Sequence, residues 1–406
     1  MFPIDTGAGK VPRPAGVAQG VLAMLAACLP LVASMALPAA MPELVAHFRA
    51  TPGAAVIVPM LAAAPAACIA MLAPVAGLLA DRVGRRRLVL AGLVLFTAAG
   101  ALPLVVDDLW LILASRLGLG VANAALLTVG TTLIGDYFEG EARRRWLAVN
   151  GVTGSLLISL AMLFGGILAG WSWRGPFLLS LLGVPVFLLA LLQLFEPSHH
   201  QPATEDAGGR GGPFPWRALG VLAGVTLVVA VLFYAEAMQI GLVLDQAGMK
   251  SPGLIALVGA AASVGYPLGS VLFSRLAGRW PARAVSTLGW GLFGLGLSGV
   301  GALADGWSAG GAGFVQQLGG GVLLTGLIHD CYEHFPFRYR ARSMGVWAAF
   351  FFAGQFASPL TVSAMAAGLG GLRPAIAALG LIPLTIAAVS LAFSLAGRLR
   401  PLARPA

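Results

Sequence analysis

The chain has 406 residues, of which 58% are hydrophobic and 10% are charged, and its formal net charge is +9. A soluble globular protein carries about 25% charged residues, so this chain has too few polar side chains to cover a water-exposed surface of its size. The composition therefore excludes a soluble globular protein and predicts one embedded in a lipid bilayer.

Apolar runs of about 20 residues, long enough to cross a bilayer as a helix, recur along the whole chain in two sets of six. They fall at 17–40, 53–78, 88–106, 109–134, 146–170 and 174–194, and then at 218–245, 253–275, 284–304, 311–332, 343–368 and 373–396. The longest polar stretch, rich in proline and glycine, lies between the sets at 196–216. We therefore predict an all-α membrane protein with a six-helix bundle at 1–195, a cytoplasmic linker at 196–216 and a second bundle at 217–406.

The basic residues alternate between the connections of these runs. Twenty of the 25 lysines and arginines lie in the termini and the even-numbered connections, four lie in the odd-numbered ones, and Arg116 lies inside a run. The positive-inside rule then predicts a multi-pass protein of the cell inner (cytoplasmic) membrane with both termini in the cytoplasm. Because topology accounts for the basic excess, we expect no nucleic-acid partner.

The two halves repeat one another at the end of their second run. The first has GLLADRVGRR at 77–86 and the second has SVLFSRLAGR at 270–279, so that Arg275 corresponds to Arg82 while Ser274 takes the place of Asp81. Internal repeats of this kind are typical of secondary transporters. They predict two bundles related by a pseudo-two-fold axis around one central cavity.

The stretch after the second run resembles the signature G-x-L-A-D-R-x-G-R-R/K of the major facilitator superfamily. It stands here as Gly77, Leu79, Ala80, Asp81, Arg82, Gly84, Arg85 and Arg86. The resemblance implies secondary transport by alternating access, and a latch in which Asp81 helps to hold the halves together in the outward-facing state. From the residues alone, the arginines of this stretch also fit a positive-inside anchor.

The fourth run carries a second landmark of that family. Arg116, Gly120 and Ala122 match the pattern R-x-x-Q-G-x-G/A, with Leu119 in place of the glutamine. An arginine in mid-membrane costs at least about 2.5 kcal/mol and must find a partner or a wet cavity. We expect Arg116 to line the cavity, and the alternative is a structural clamp onto neighbouring carbonyl groups.

Two departures concern proton-coupled drug exporters of the superfamily. Such exporters typically carry an acid seven residues before an Ala-Leu-Pro in the first helix, and here Leu29 occupies that place before 36–38. Their fifth helix usually shows G-P-x-x-G-G, and here Gly165 and Gly166 are present while Ala161 and Met162 replace Gly-Pro. Both departures weaken the assignment of this chain as an antiporter. They also imply that any coupling site lies at residues other than these two motifs.

Glu236 is the acid that lies well inside an apolar run, in VLFYAEAMQIG of the seventh. A carboxyl group there favours its protonated form, which suits a group that takes up a proton on one side and releases it on the other. The alternative is a carboxylate hydrogen-bonded near the outer interface. We expect other polar side chains to share the cavity or to bond other helices, and most Phe, Met and Trp side chains to face lipid or pack. The polar candidates are Tyr234, Gln239, Gln316, Gln317, Gln355 and Asn123.

The end of the tenth run, HDCYEH at 329–334, places His329 and Glu333 on one helical face. A metal or pH-sensing site is one interpretation. The favoured interpretation is a cytoplasmic gate in which His329 and Asp330 pair with arginines of the inner connections. We expect no bound metal, no cofactor and no enzymatic activity, because the chain has no P-loop, no G-x-G-x-x-G after a strand and no metal-ligand cluster.

These features predict a monomeric secondary transporter in the lipid bilayer that moves a small organic molecule, with proton-coupled efflux of a drug-like or amphipathic metabolite favoured. A sugar fits poorly because it needs many polar partners. The alternatives are an importer or facilitator of a small organic acid that uses Arg116, and a transporter-like membrane sensor.

Overall fold

The computed structural model describes residues 15–197, 215–335 and 337–399, and this part of the chain is helical apart from short turns and one isolated bridge between Ala277 and Trp280. Within these described residues, twelve helical spans are long and apolar enough to cross a membrane. These spans, TM1 to TM12, are Val17–His47, Ala54–Val83, Arg85–Leu104, Leu109–Tyr137, Gly140–Ala169, Gly175–Gln193, Trp216–Ala237, Pro252–Leu276, Ala282–Ala302, Gly306–Cys331, Ser343–Leu369 and Leu372–Ser394. The predicted fold class is confirmed. The linker at 196–216 lies largely outside the described residues, and the division at 195 and 217 stays a prediction.

Several spans are composite or continue beyond their apolar segment. TM3 ends and TM6 begins in a 3-10 helix, at Leu102–Leu104 and Gly175–Leu182. TM8 consists of the helices Pro252–Ser263 and Gly265–Leu276. At the other end of the chain, the helices of TM10, TM11 and TM12 extend over Gly306–His334, Phe337–Leu369 and Leu372–Leu399.

TM1 and TM7 are interrupted at corresponding places. The first helix of TM1, Val17–Met35, is followed by the 3-10 turn Pro38–Ala40 and the helix Met41–His47. TM7 stops at Ala237, and a short helix resumes at Ile240–Gln246. Helices interrupted at matching points of two repeats are a frequent sign of a binding site between them.

The spans alternate in direction, so that their connections lie at two ends of the molecule. We call the end that carries TM2–TM3, TM4–TM5 and TM8–TM9 the basic face, since most arginines lie there, and the other end the opposite face. At the opposite face His47 Nε2 lies 2.9 Å from Asp107 Oδ1, and its ring stacks on Trp173. The hydrogen bond with His47 holds the pKa of Asp107 below its usual range.

The two halves are joined toward the opposite face. Between them TM2 contacts TM11 and TM5 contacts TM8. One apolar cluster joins Leu44 and Ile57 of the first half to Met238 of the second, and another joins Met162 to Ile255. The apolar clusters nearer the basic face contain residues of one half only.

Two glycines allow the halves to approach at backbone distance. A Cβ built on Gly166 of TM5 would overlap Ala256 Cβ and lie 2.7 Å from the carbonyl oxygen of Pro252, both in TM8. A Cβ on Gly241, after TM7, would overlap the carbonyl oxygen of Pro38 in TM1. Small residues at helix contacts let backbones pack closely in lipid, and here they bring the two halves into close contact at the opposite face.

We predict that Gly166→Leu opens the opposite face, because the leucine cannot fit between TM5 and TM8. A cysteine placed at Ser34, which lines the space between the halves, should then react with a membrane-impermeant thiol reagent added on the opposite side. The experiment uses a variant without the three native cysteines, and thermal unfolding checks that it is folded. Gly151→Leu is the matched control, since a Cβ at Gly151 of the same helix meets nothing within 4 Å. Equal labelling of the two variants would contradict the prediction.

Candidate functional site

A cavity of about 220 Å³ lies between the two halves, beside the interruptions of TM1 and TM7. Its lining comes from both halves and is mostly aliphatic and aromatic. Its polar and aromatic lining includes Ser34 of TM1, Phe233, Tyr234 and Glu236 of TM7, Tyr266 of TM8, Gln317 of TM10, and Phe351, Phe352 and Gln355 of TM11. Among the described residues that line it, Glu236 is the only one with a charged side chain.

The carboxyl group of Glu236 is buried between TM7 and TM10 and is 2% exposed. Gln317 Nε2 donates a 2.6 Å hydrogen bond to Glu236 Oε2. The other oxygen, Oε1, lies beside Gly313, one turn before Gln317, where a Cβ would come within 3.1 Å of it. TM10 therefore offers the carboxyl group one amide donor and a space without a side chain.

Aromatic rings surround this carboxyl group. Phe233 meets Tyr266 edge to face at 5.8 Å, and Tyr234 packs against Phe351 with ring centroids 5.4 Å apart. Phe351 also contacts the ring of Phe352. Aromatic faces bind organic cations and flat apolar groups, so a cavity with this lining and one carboxyl group suits an aromatic or amphipathic molecule without negative charge.

Arg116 lies outside the lining of this cavity. Its side chain is 1% exposed, and its Nη2 donates to the carbonyl oxygens of Gly100 at 2.9 Å and Ala99 at 3.3 Å, on TM3. The guanidinium carbon lies 4.9 Å from the centroid of the Phe177 ring. This geometry agrees with the alternative interpretation of Arg116, in which its side chain is a structural clamp onto neighbouring carbonyl groups of the first half.

The remaining polar candidates divide between the cavity and the helix contacts. Tyr234, Gln317 and Gln355 line the cavity, whereas Gln239, Gln316 and Asn123 are buried outside its lining. Gln316 Nε2 reaches the carbonyl oxygen of Phe233 at 3.5 Å. The side-chain amide of Asn123 has no hydrogen-bond partner among the described residues.

The signature at 77–86 forms a set of contacts within the first half. Asp81 is largely exposed, and its carboxylate lies 3.6 Å from Arg85 Nη2. Arg85 also pairs with Asp136 at the end of TM4. Gly84 has φ +100°, a conformation that favours glycine, and turns the chain between TM2 and TM3. Gly77 and Arg82 complete the signature at this face, and its latch role stays a prediction.

Glu196 anchors this region to the end of TM6. Its carboxylate accepts hydrogen bonds from the backbone N–H groups of Arg85 at 2.6 Å and Arg86 at 3.0 Å, at the start of TM3. A carboxylate at a helix N-terminus satisfies free N–H groups and interacts favourably with the helix dipole. Arg86 in turn donates to the carbonyl oxygens of Leu191 and Leu194.

His329 and Asp330 lie exposed at the basic end of TM10. The ring of His329 meets Phe273 at 5.8 Å. Both residues border a separate groove within the second half, and the gate remains a prediction. Glu333 lies where no side chain is described. Over the part of the chain that the structure describes, no group of three or more His, Cys, Asp or Glu side chains could hold a metal ion.

Sequence reasoning missed most of the cavity wall. Phe351 and Phe352 line it, although most phenylalanines of the spans were expected to face lipid or pack, and Tyr266 was not among the candidates. Prolines inside the apolar runs could have indicated the position of the cavity, because Pro30 and Pro267 both border it. Proline-interrupted membrane helices tend to lie where a cavity replaces close packing.

Comparison with known proteins identifies the family. Residues 22–248 match the family model of the Major Facilitator Superfamily. The multidrug transporter protein MdtP of Bacillus subtilis is 26% identical over 166 residues, which is 40% of this chain and 28% of the relative. The class C tetracycline resistance protein of Escherichia coli is 29% identical over 176 residues, 42% of each chain. The matches thus span less than half of these relatives.

One solved structure agrees with the whole architecture. It is a bacterial homolog of the human lysosomal transporter Spinster, in an inward-facing and unoccupied conformation, with a TM-score of 0.76 at 17% identity. The match covers 93% of this chain and 96% of that one. At this identity the likeness concerns the fold. The family match extends over more than half of the sequence and confirms the resemblance seen at 77–86: the chain belongs to the Major Facilitator Superfamily.

Proposed function

We propose that this chain is a secondary transporter that exports a small amphipathic organic molecule, uncharged or cationic, in exchange for protons. The two halves rock about the central cavity and expose it to one side of the membrane at a time. In this proposal the protein is a monomer in the inner membrane, with the basic face and both termini in the cytoplasm, because basic connections remain inside.

The observation that carries the proposal is the lining of the central cavity. Aromatic and aliphatic side chains surround one carboxyl group, Glu236, and no lysine or arginine accompanies it among the described lining residues. A sugar would leave most of its hydroxyl groups without partners in such a cavity. An organic anion would meet a carboxyl group and no cation. An amphipathic molecule of neutral or positive charge fits both the shape and the electrostatics.

Glu236 also offers a means of coupling. An unpaired carboxylate in an apolar cavity is costly, so the group holds either a proton or a cation. Release of the proton while a cationic or polar substrate arrives, and uptake of a proton when it leaves, would couple the two movements in opposite directions. Gln317 would keep the carboxyl group oriented in both states through its 2.6 Å hydrogen bond.

The packing of the halves supports alternating access. With the opposite face closed by Gly166 and Gly241, the described conformation corresponds to the inward-facing state of the proposal. Asp81 is then exposed at the open face, in reach of Arg85. In the outward-facing state the basic ends would meet, and Asp81 would hold them together as the predicted latch.

The names of the relatives favour export. One is called a multidrug transporter and another a tetracycline resistance protein. Import of an organic acid is the weaker candidate, because Arg116 donates to backbone carbonyl groups outside the cavity. A membrane sensor is weaker still, since a protein that does not move has no need of the latch signature.

We predict that Glu236→Gln abolishes proton-driven accumulation of a cationic aromatic dye in inverted membrane vesicles, because the amide cannot carry a proton. Dye exchange down its own gradient, without a proton gradient, should persist. Glu141→Gln, at an exposed position at the start of TM5, is the matched control and should keep the wild-type rate. Proton-driven accumulation at the wild-type rate in Glu236→Gln would remove Glu236 from the coupling role.

We predict that one further substitution weakens substrate binding and that another leaves it unchanged. Phe351→Ala should raise the KM for the dye about fivefold, since a cation–π contact contributes about 1 kcal/mol. Arg116→Met should leave that KM unchanged when rates are normalised to folded protein, because Arg116 lies outside the cavity. An importer of organic acids would instead lose anion uptake in Arg116→Met, and this result would favour the alternative function.

A further inference from the structure

A second cavity, here called the TM7 groove, lies within the second half at the basic face and measures about 930 Å³. It shares no lining residue with the central cavity. Its walls are TM7 on one side and the start of TM9 and the end of TM10 on the other, with the end of TM8 at the mouth. The lining includes Arg217, Ala218, Val221, Leu222, Val225 and Val229 of TM7.

In the described part of the first half, a cluster of buried side chains, among them Leu22 of TM1, Leu93 of TM3 and Leu126 of TM4, packs between the corresponding helices. In the second half several of the facing positions are small: Ala282 and Ser286 on TM9 and Gly326 on TM10. These small side chains leave room for the groove between the larger ones that also line it.

The depth of the groove matches one leaflet of a bilayer. Its TM7 wall runs from Arg217 at the basic end of the span to Val229, twelve residues along the helix. At a rise of 1.5 Å per residue this is about 18 Å. Half of the hydrocarbon core is about 15 Å thick. An acyl chain of the leaflet at the basic face would reach the bottom of the groove.

The mouth carries charges that suit a phosphate group. Arg217 lies on the rim, and Arg279 and Arg283 are exposed on the TM8–TM9 connection and at the start of TM9. His329 and Asp330 border the same mouth, so Asp330 offsets Arg217 within the lining, and the positive excess comes from Arg279 and Arg283 next to it in the chain. Arginine binds phosphate through several N–H groups in a fixed plane. The adjacent Trp280 is 51% exposed, as is common for tryptophan at the membrane–water boundary.

We propose that the TM7 groove binds a phospholipid from the leaflet at the basic face, with one acyl chain between TM7 and TM9–TM10 and the phosphate at Arg217. The lipid supplies the apolar contacts that leucine side chains provide in the first half. This site is distinct from the transport cavity and does not depend on the identity of the transported molecule.

The test uses the full chain, purified in detergent and depleted of lipid. We expect phosphatidylglycerol to raise the midpoint of thermal unfolding by about 3 °C or more, because a ligand that binds the folded state stabilises it. Diacylglycerol with the same acyl chains should raise it less, and glycerol phosphate should have no effect. Native mass spectrometry should detect one retained phosphatidylglycerol per chain.

Three variants distinguish the groove from the general lipid surface. Ala218→Trp fills the groove and should abolish both the thermal shift and the retained lipid. Arg217→Gln, at an exposed position, should reduce the response to phosphatidylglycerol to that of diacylglycerol. Val228→Trp is the control, because Val228 lies on TM7 outside the lining and is 42% exposed. Wild-type responses in both Ala218→Trp and Arg217→Gln would overturn the proposal, as would equal effects of the two lipids on the wild-type protein.

Discussion

At two points of the opposite face the halves of this protein approach at backbone distance, beside the apolar side-chain clusters that also join them. Gly166 faces the carbonyl group of Pro252, and Gly241 faces that of Pro38, where any side chain would overlap. Such contacts have little freedom to adjust, since no flexible side chain can move aside. In the proposed inward-facing state these contacts keep the opposite face closed, so that the central cavity is reached from the basic face, which is the geometric requirement of alternating access.

Two buried ionisable groups differ in how they are partnered. Arg116 donates to the carbonyl oxygens of Gly100 and Ala99 inside one half, so the proposed rocking of the halves would leave these partners unchanged. Glu236 has one amide donor, Gln317, and otherwise faces the central cavity, whose exposure would change in the proposed movement. A group whose surroundings alternate is the one suited to coupling, whatever its depth in the membrane.

The twelve spans could be predicted because each needs its own apolar run, and because the arginines alternate from one connection to the next. Glu236 could be found as an acid inside such a run. The partners of Glu236 and Arg116 could not be predicted. The depth of a residue in the membrane follows from the sequence, whereas the direction of its side chain depends on how each helix is rotated. Thus Arg116 was expected in the cavity and lies against TM3. The aromatic wall formed by Phe351 and Phe352 was missed for the same reason.

TM7 carries both the proposed coupling group and one wall of the proposed lipid site. Val229, at the bottom of the groove, precedes Glu236 by seven residues, about 10 Å along the helix. At the basic end of TM7, Leu219 and Leu222 belong to a small cluster, whereas the counterpart helix TM1 packs in a large one. The position of TM7 against TM10 determines whether Gln317 reaches Glu236. A lipid that fills the groove would therefore set the geometry of the coupling pair, and a membrane lacking that lipid would loosen it.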